Sequence, residues 1–115
     1  MPVPLQVTFR HMSHSAAFED RIRTLAGRLE RFSPHITQCH VVVEAPAGHH
    51  QQGEHFDVGL EILVPGRQIV IRRARPNDPG HEDPYVALRD AFRAARRKLL
   101  AYERERSDPR RVPVT

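Results

Sequence analysis

The chain has 115 residues, enough for one compact domain and too few for two comfortable ones. With 39% hydrophobic residues, no tryptophan and no apolar run approaching a bilayer's thickness, it is read as a folded soluble chain with one modest core and no membrane span. Its net charge of +4 is uneven: residues 1–84 carry nine Lys/Arg against ten Asp/Glu, whereas residues 85–115 carry nine against four. Such a local cluster of cations attracts phosphates over a Debye length, while a mixed surface largely cancels itself, so the last segment points to a polyanionic partner.

The first predicted element is a strand over residues 3–10, VPLQVTFR, in which Leu5, Val7 and Phe9 alternate with polar neighbours. Pro2 and Pro4 put its start near an edge or end. A helix follows, with Ser15 as N-cap and Glu19 and Asp20 in the first turn, where carboxylates favour the positive end of the dipole. Phe18, Ile22, Leu25, Leu29 and Phe32 recur at steps of four and three, one apolar stripe that ends before Pro34.

Residues 36–45, ITQCHVVVEA, predict a well-buried strand with Cys39, Val41, Val43 and Ala45 on one face. The polar, turn-rich PAGHHQQG predicts a long, mobile hairpin loop. A third strand is predicted over HFDVGLEILV, then a tight turn at Pro65 and Gly66, then a fourth strand, RQIVIRRAR, ending in Arg72, Arg73 and Arg75. RPNDPGHED is a loop by composition. Asp83 followed by Pro84 then marks a helix start, the carboxylate accepting from orphan N–H groups and proline suiting the first helical position. Leu88, Phe92, Ala95, Leu99 and Tyr102 form that helix's buried stripe, and Ser107, Asp108 and Pro109 end it.

The order β-α-β-β-β-α predicts a two-layer α+β domain, a four-stranded sheet with both helices on one face. The first strand is expected beside and parallel to the second through a right-handed crossover, with the last three as an antiparallel meander. Residues 1–106 are assigned to the domain and 107–115 to a flexible tail.

Arg89, Arg93, Arg96 and Arg97 fall on one flank of the last helix, within reach of one another at i,i+3 and i,i+4 spacing, with Lys98 following. Arginine is a good helix former, and such runs are often plain solvated faces. Here, however, Asp90 is the only acid between residues 85 and 102, so a salt-bridged surface lacks its partners. On the first helix, Arg21, Arg23, Arg28 and Arg31 are interleaved with Glu19, Asp20 and Glu30, a more neutral face from which Arg28 could extend the patch. Arg72, Arg73 and Arg75 alternate between faces, so at most two can join one patch; as edge charges they would also discourage sheet-to-sheet pairing.

Eight histidines raise the question of metal, but His11 and His14, or His49, His50 and His55, lie in separate loops and strand ends without the converging ligands zinc needs. No nucleophile elbow, Gly-rich phosphate loop or isolated carboxylate pair is present, and Cys39, among valines, reads as a small buried apolar residue. As the only cysteine it cannot form an intramolecular disulfide, which fits a reducing compartment, and the N-terminus lacks the pattern of a signal peptide. A cytoplasmic protein without cofactor, metal, catalytic residue or small-molecule substrate is expected.

Read together, the first strand, the helix ending RLERFSPHI, the strand ITQCHVVVEA, the ILVPG turn and DPYVAL opening the last helix resemble the ribosome hibernation-promoting factor family, also called ribosome-associated inhibitor A or sigma-54 modulation proteins, in its short form. That family's pattern at the last helix is typically Asp-x-Tyr-Ala-Ala-Ile-Asp, and Asp83, Tyr85, Ala87 and Leu88 stand in the matching places. The resemblance implies a fold similar to a double-stranded-RNA-binding domain, and binding to the small ribosomal subunit and its rRNA in the channel used by mRNA and tRNA. By position, Arg28 and Arg97 match basic residues of the family's rRNA-binding helices. The family often carries lysine where this chain has Ala94, Ala101 and Glu103, and an acid where it has Arg89. The resemblance is to the short form, without the long form's C-terminal dimerisation domain, so ribosome pairing by that route is not expected, and a monomer is expected when free. The expected RNA-binding set is Arg28, Arg72, Arg89, Arg93, Arg96, Arg97 and Lys98. Two other readings stand beside this one: a free-standing module for A-form RNA duplex, and a regulator docking on a protein through the His-rich loop and first helix.

Overall fold

A computed structural model of the protein describes residues 3–45, 56–72 and 83–107. The loop of residues 46–55, Arg73 and Arg75, the loop before Asp83, His49, His50 and His55, and the tail beyond Ser107 lie outside the described residues.

The elements follow the predicted order: β1 (Leu5–Arg10), α1 (Ala16–Phe32), β2 (Gln38–Glu44), β3 (Asp57–Val64), β4 (Arg67–Ile71) and α2 (Pro84–Ser107). They form one four-stranded sheet in the order β1-β2-β3-β4. β1 runs parallel to β2, with Val7 opposite Val41, and β2, β3 and β4 form an antiparallel meander in which Val41 faces Leu60 and Ile62 faces Ile69. Strand edges move inward from the sequence reading. β1 begins at Leu5, beyond Pro4, whose carbonyl accepts from the Cys39 N–H at 3.1 Å. β2 begins at Gln38, because Ile36 is turned into the core while its N–H reaches back to the Ser33 carbonyl. The described part of β4 stops at Ile71, one residue before Arg72.

Both helix starts are capped as the residue types require. Ser15 sits in extended backbone and its Oγ accepts from the Phe18 N–H at 3.2 Å. Asp83 accepts from the Tyr85 N–H at 2.8 Å through Oδ1, and its carbonyl takes the N–H groups of Val86 and Ala87. A side-chain cap of this kind stabilises a helix by about 1 kcal/mol. Between β3 and β4, Pro65 and Gly66 make a two-residue turn closed by the Val64–Arg67 pair. Gly66 carries φ +80°, which with proline before it is the type II pattern.

Alternation along the strands puts Cys39, Val41, Val43, Val58, Leu60, Ile62, Val64, Ile69 and Ile71 on the helix-facing side, all buried. The predicted α2 stripe is buried throughout, and Ala87 and Ala91 join it, small enough to let the helix lie close to the sheet. The α1 stripe divides. Phe18, Ile22 and Leu29 are buried, whereas Leu25 and Phe32 are only half-buried at the side facing α2. The helices run in the same direction: Phe18 meets Tyr85 edge-on at 4.9 Å near their N-terminal ends, and Phe32 lies beneath Arg96 further along.

Candidate nucleic-acid interface

Because the helices are parallel and not fully closed against each other, a groove of about 640 Å³ runs between them. Leu25, Leu29, Phe32, Tyr85, Val86 and Phe92 give it an apolar floor. Arg21 and Arg28 on α1 and Arg89, Arg93 and Arg96 on α2 form its rim. No carboxylate lines it. Arg89 leans on Asp90 at 3.3 Å, and the Arg96 guanidinium stacks 5.0 Å above the Phe32 ring. The guanidinium groups of Arg21, Arg28 and Arg93 make no hydrogen bond or ion pair among the described residues.

The acids of α1 are turned elsewhere. Glu19 is held by His14 at 3.0 Å and Arg23 at 3.3 Å, and Glu30 accepts from the Val3 N–H at 2.8 Å. The hydrogen bond from His14, ahead of the Arg23 contact, keeps the Glu19 carboxyl below the usual carboxylate range. Charges interleaved in sequence are therefore partly sorted in space: Arg21 and Arg28 reach the groove, while Glu19, with Arg23, and Glu30 are held away from it.

Of the seven residues predicted from sequence, Arg28, Arg89, Arg93 and Arg96 share this groove. Arg97 is exposed one turn beyond Arg93, outside the lining. Lys98 lies on the opposite flank of α2, where its Nζ donates to the Val70 carbonyl of β4 at 3.0 Å. Arg72 lies across the sheet, beside a shallow trough it shares with Arg10, Glu44 and Asp57. The sequence reading missed Arg21, and it missed Leu25, Phe32 and Tyr85 as surface. Their signal was present: Arg21, Leu25, Arg28 and Phe32 follow i, i+4, i+7, i+11 down one side of α1. Tyr85 is 46% exposed, the only large hydrophobic residue so exposed among those described.

Catalytic arrangements are poor. Cys39 is buried, and burial, with the nearby Glu30 carboxylate, pushes its thiol up to about 11, far from a usable thiolate. On the open sheet face the Thr8 hydroxyl lies 2.9 Å from His40 Nε2, and His40 Nδ1 lies 3.8 Å from Glu61. That row sits on the flat of a sheet whose central strands commit their N–H groups to their neighbours, leaving no donor pair for an oxyanion. His11 contacts Glu44 at 3.4 Å and His14 contacts Glu19, and no group of three His, Cys, Asp or Glu able to hold a metal exists among the described residues. No described helix is long and apolar enough to cross a membrane.

Sheet, paired helices and arginine-walled groove together define a small two-layer α+β binding domain with its basic residues concentrated on the helical face. Residues 5–107 match the family described as Sigma 54 modulation protein / S30EA ribosomal protein, and the chain belongs to that family. It is a family of ribosome-associated modulation factors and not of enzymes. The fold is similar to that of a ribosomal subunit interface protein from Coxiella burnetii, with a TM-score of 0.59 and 16% identity over 88% of this chain and 98% of that one. It is likewise similar to the N-terminal domain of Protein Y from Thermus thermophilus, with a TM-score of 0.58 and 15% identity over 89% of this chain and 99% of that one. No curated protein matches the chain in sequence.

Proposed function

We propose that the protein is a hibernation factor that binds small-subunit rRNA in the mRNA and tRNA channel and blocks translation by occupying it. The observation that carries this reading is the helical face, where five arginines from two helices converge on one groove and no carboxylate lines it. Family membership supplies the ribosome as target; the arginines supply the means. A guanidinium takes a phosphate through two parallel N–H groups and stacks on exposed bases, so a cluster of them suits folded RNA better than lysines would. Arg97 extends the same face along α2, while Lys98, engaged with the β4 carbonyl, and Arg72, across the sheet, stand apart from it.

Co-sedimentation with purified small subunits tests the assignment. Replacing Arg93, Arg96 and Arg97 together by Glu is expected to abolish association, whereas Lys98→Gln is expected to leave it within about two-fold, since one peripheral phosphate contact contributes little. With about five phosphates neutralised, affinity should fall with salt at a log–log slope of about −3 to −5. Unchanged co-sedimentation of the triple variant would overturn the site. Equal competition by a generic RNA duplex would instead favour a free-standing duplex-binding module.

A further inference from the structure

We propose that the groove between α1 and α2 receives an unstacked base of single-stranded RNA, its plane against Tyr85 and the apolar floor, with the flanking phosphates held by the arginines of the two walls. The inference rests on the reading of this face as RNA-binding and specifies which form of RNA it takes. Its first ground is the division of the α1 stripe. Leu25 and Phe32 have the spacing of core residues, yet they stay half-buried on the α1 side of the cleft, which Tyr85, Val86 and Phe92 line from α2. A floor of this kind is wetted in the free protein and is relieved by a flat apolar ligand.

The second ground is the pairing of that floor with its rim. A duplex would offer phosphates to Arg21, Arg28, Arg89 and Arg93, but its bases stay stacked inside the helix and the floor would remain wet. An apolar peptide would cover the floor and strip water from guanidinium groups without replacing it. A nucleotide of a single strand supplies both halves, an aromatic plane for the floor and an anion for each wall. Arg21 and Arg28 lie two turns apart on α1, about 10 Å along its axis, so the walls can hold phosphates on both sides of one inserted base.

The third ground is Tyr85 itself. Its ring is 46% exposed at the mouth of the groove, and it is braced behind by Phe18, edge-on at 4.9 Å and itself in edge contact with Phe9. A platform held this way loses little side-chain freedom when a base stacks on it. At about 640 Å³ the groove is also within the size range of small-ligand sites.

The chain has two tyrosines and no tryptophan, and the other tyrosine, Tyr102, is buried with its hydroxyl bonded to the Pro65 carbonyl. In a Tyr102→Phe background, Tyr85 is therefore the sole reporter of stacking. Single-stranded oligoadenylate and oligouridylate hexamers are expected to quench its fluorescence saturably, and a blunt duplex of the same length to bind more weakly and leave it unquenched. By fluorescence anisotropy with labelled hexamers and the full chain, Tyr85→Leu should weaken binding roughly ten-fold, and Tyr85→Phe should restore it. Quenching by duplex equal to that by single strand, wild-type affinity of Tyr85→Leu, or displacement of the hexamer by polyglutamate at equal charge would each overturn the inference. Small-subunit co-sedimentation is measured in parallel: salt-sensitive association without hexamer quenching sinks the base site alone and leaves the proposed function standing.

Discussion

Gly66 shows how narrowly a single residue can be constrained. Its φ of +80° closes the turn that sets the β3–β4 register, and an added Cβ would meet no neighbour there, so the constraint is backbone conformation alone. Gly66→Ala is expected to lower stability by about 1–2 kcal/mol, the cost of a left-handed L-residue, readable as a lower urea midpoint with unchanged slope. At this scale sequence reading was strongest where one residue has one conformational role: Ser15, Asp83, Pro84 and Gly66 all stand where their chemistry put them. It was weakest for Leu25 and Phe32. An apolar residue at i,i+3 or i,i+4 spacing reads the same whether it faces a core or an open cleft, and only the separation of the two helices distinguishes them. Lys98 illustrates the opposite case. It lies five residues past Arg93, about 140° around the helix, so periodicity alone already separated it from the arginine flank.

Between elements, the contacts that fix α1 against α2 come from residues far apart in sequence. Ser33, fully buried just beyond the end of α1, donates to Glu103 on α2, and His35 Nδ1 lies 3.0 Å from both oxygens of the same carboxylate. Burial alone would raise the Glu103 carboxyl, but the hydrogen bonds from Ser33 and His35, with the positive charges of His35 and Arg106, outweigh it and hold the group below its ordinary value. A carboxyl lowered in the folded state contributes stability that is present above its unfolded pKa and lost as pH falls through its folded one. Stability should therefore decline on acidification below about pH 4. In Glu103→Gln that part of the decline should be missing, which thermal melts across the acid range will show; an identical acid limb in the variant would exclude the clamp as its source. Sequence could not have found this contact. Ser33 and Glu103 are 70 residues apart, and each alone reads as a polar residue at a helix end.

For the molecule as a whole, the order and pairing of elements were legible, because alternation gives strand faces and a short chain with two one-sided helices has few ways to bury both apolar stripes. The asymmetry of charge was legible only in part. Sequence placed the excess at the C-terminal end, whereas folding brings Arg21 and Arg28 of the acid-rich N-terminal part to the same groove and turns their neighbouring carboxylates outward. Net charge by segment cannot show that sorting, since it depends on which side of α1 faces α2.

The parallel pairing of β1 with β2 also bears on how the chain reaches this state. β3 and β4 are joined by two residues and can pair as soon as both exist, whereas β1 contacts its partner only after α1 has spanned the sheet, at a separation such as Leu5 to Cys39. Closing the longer loop costs entropy before any contact repays it, so the hairpin is expected in the folding transition state and the N-terminal strand is expected to dock late. Ile69→Val should then slow refolding, and Val7→Ala should chiefly speed unfolding, a contrast that stopped-flow kinetics can measure. On a ribosome, the segment synthesised first would be the last to find its place.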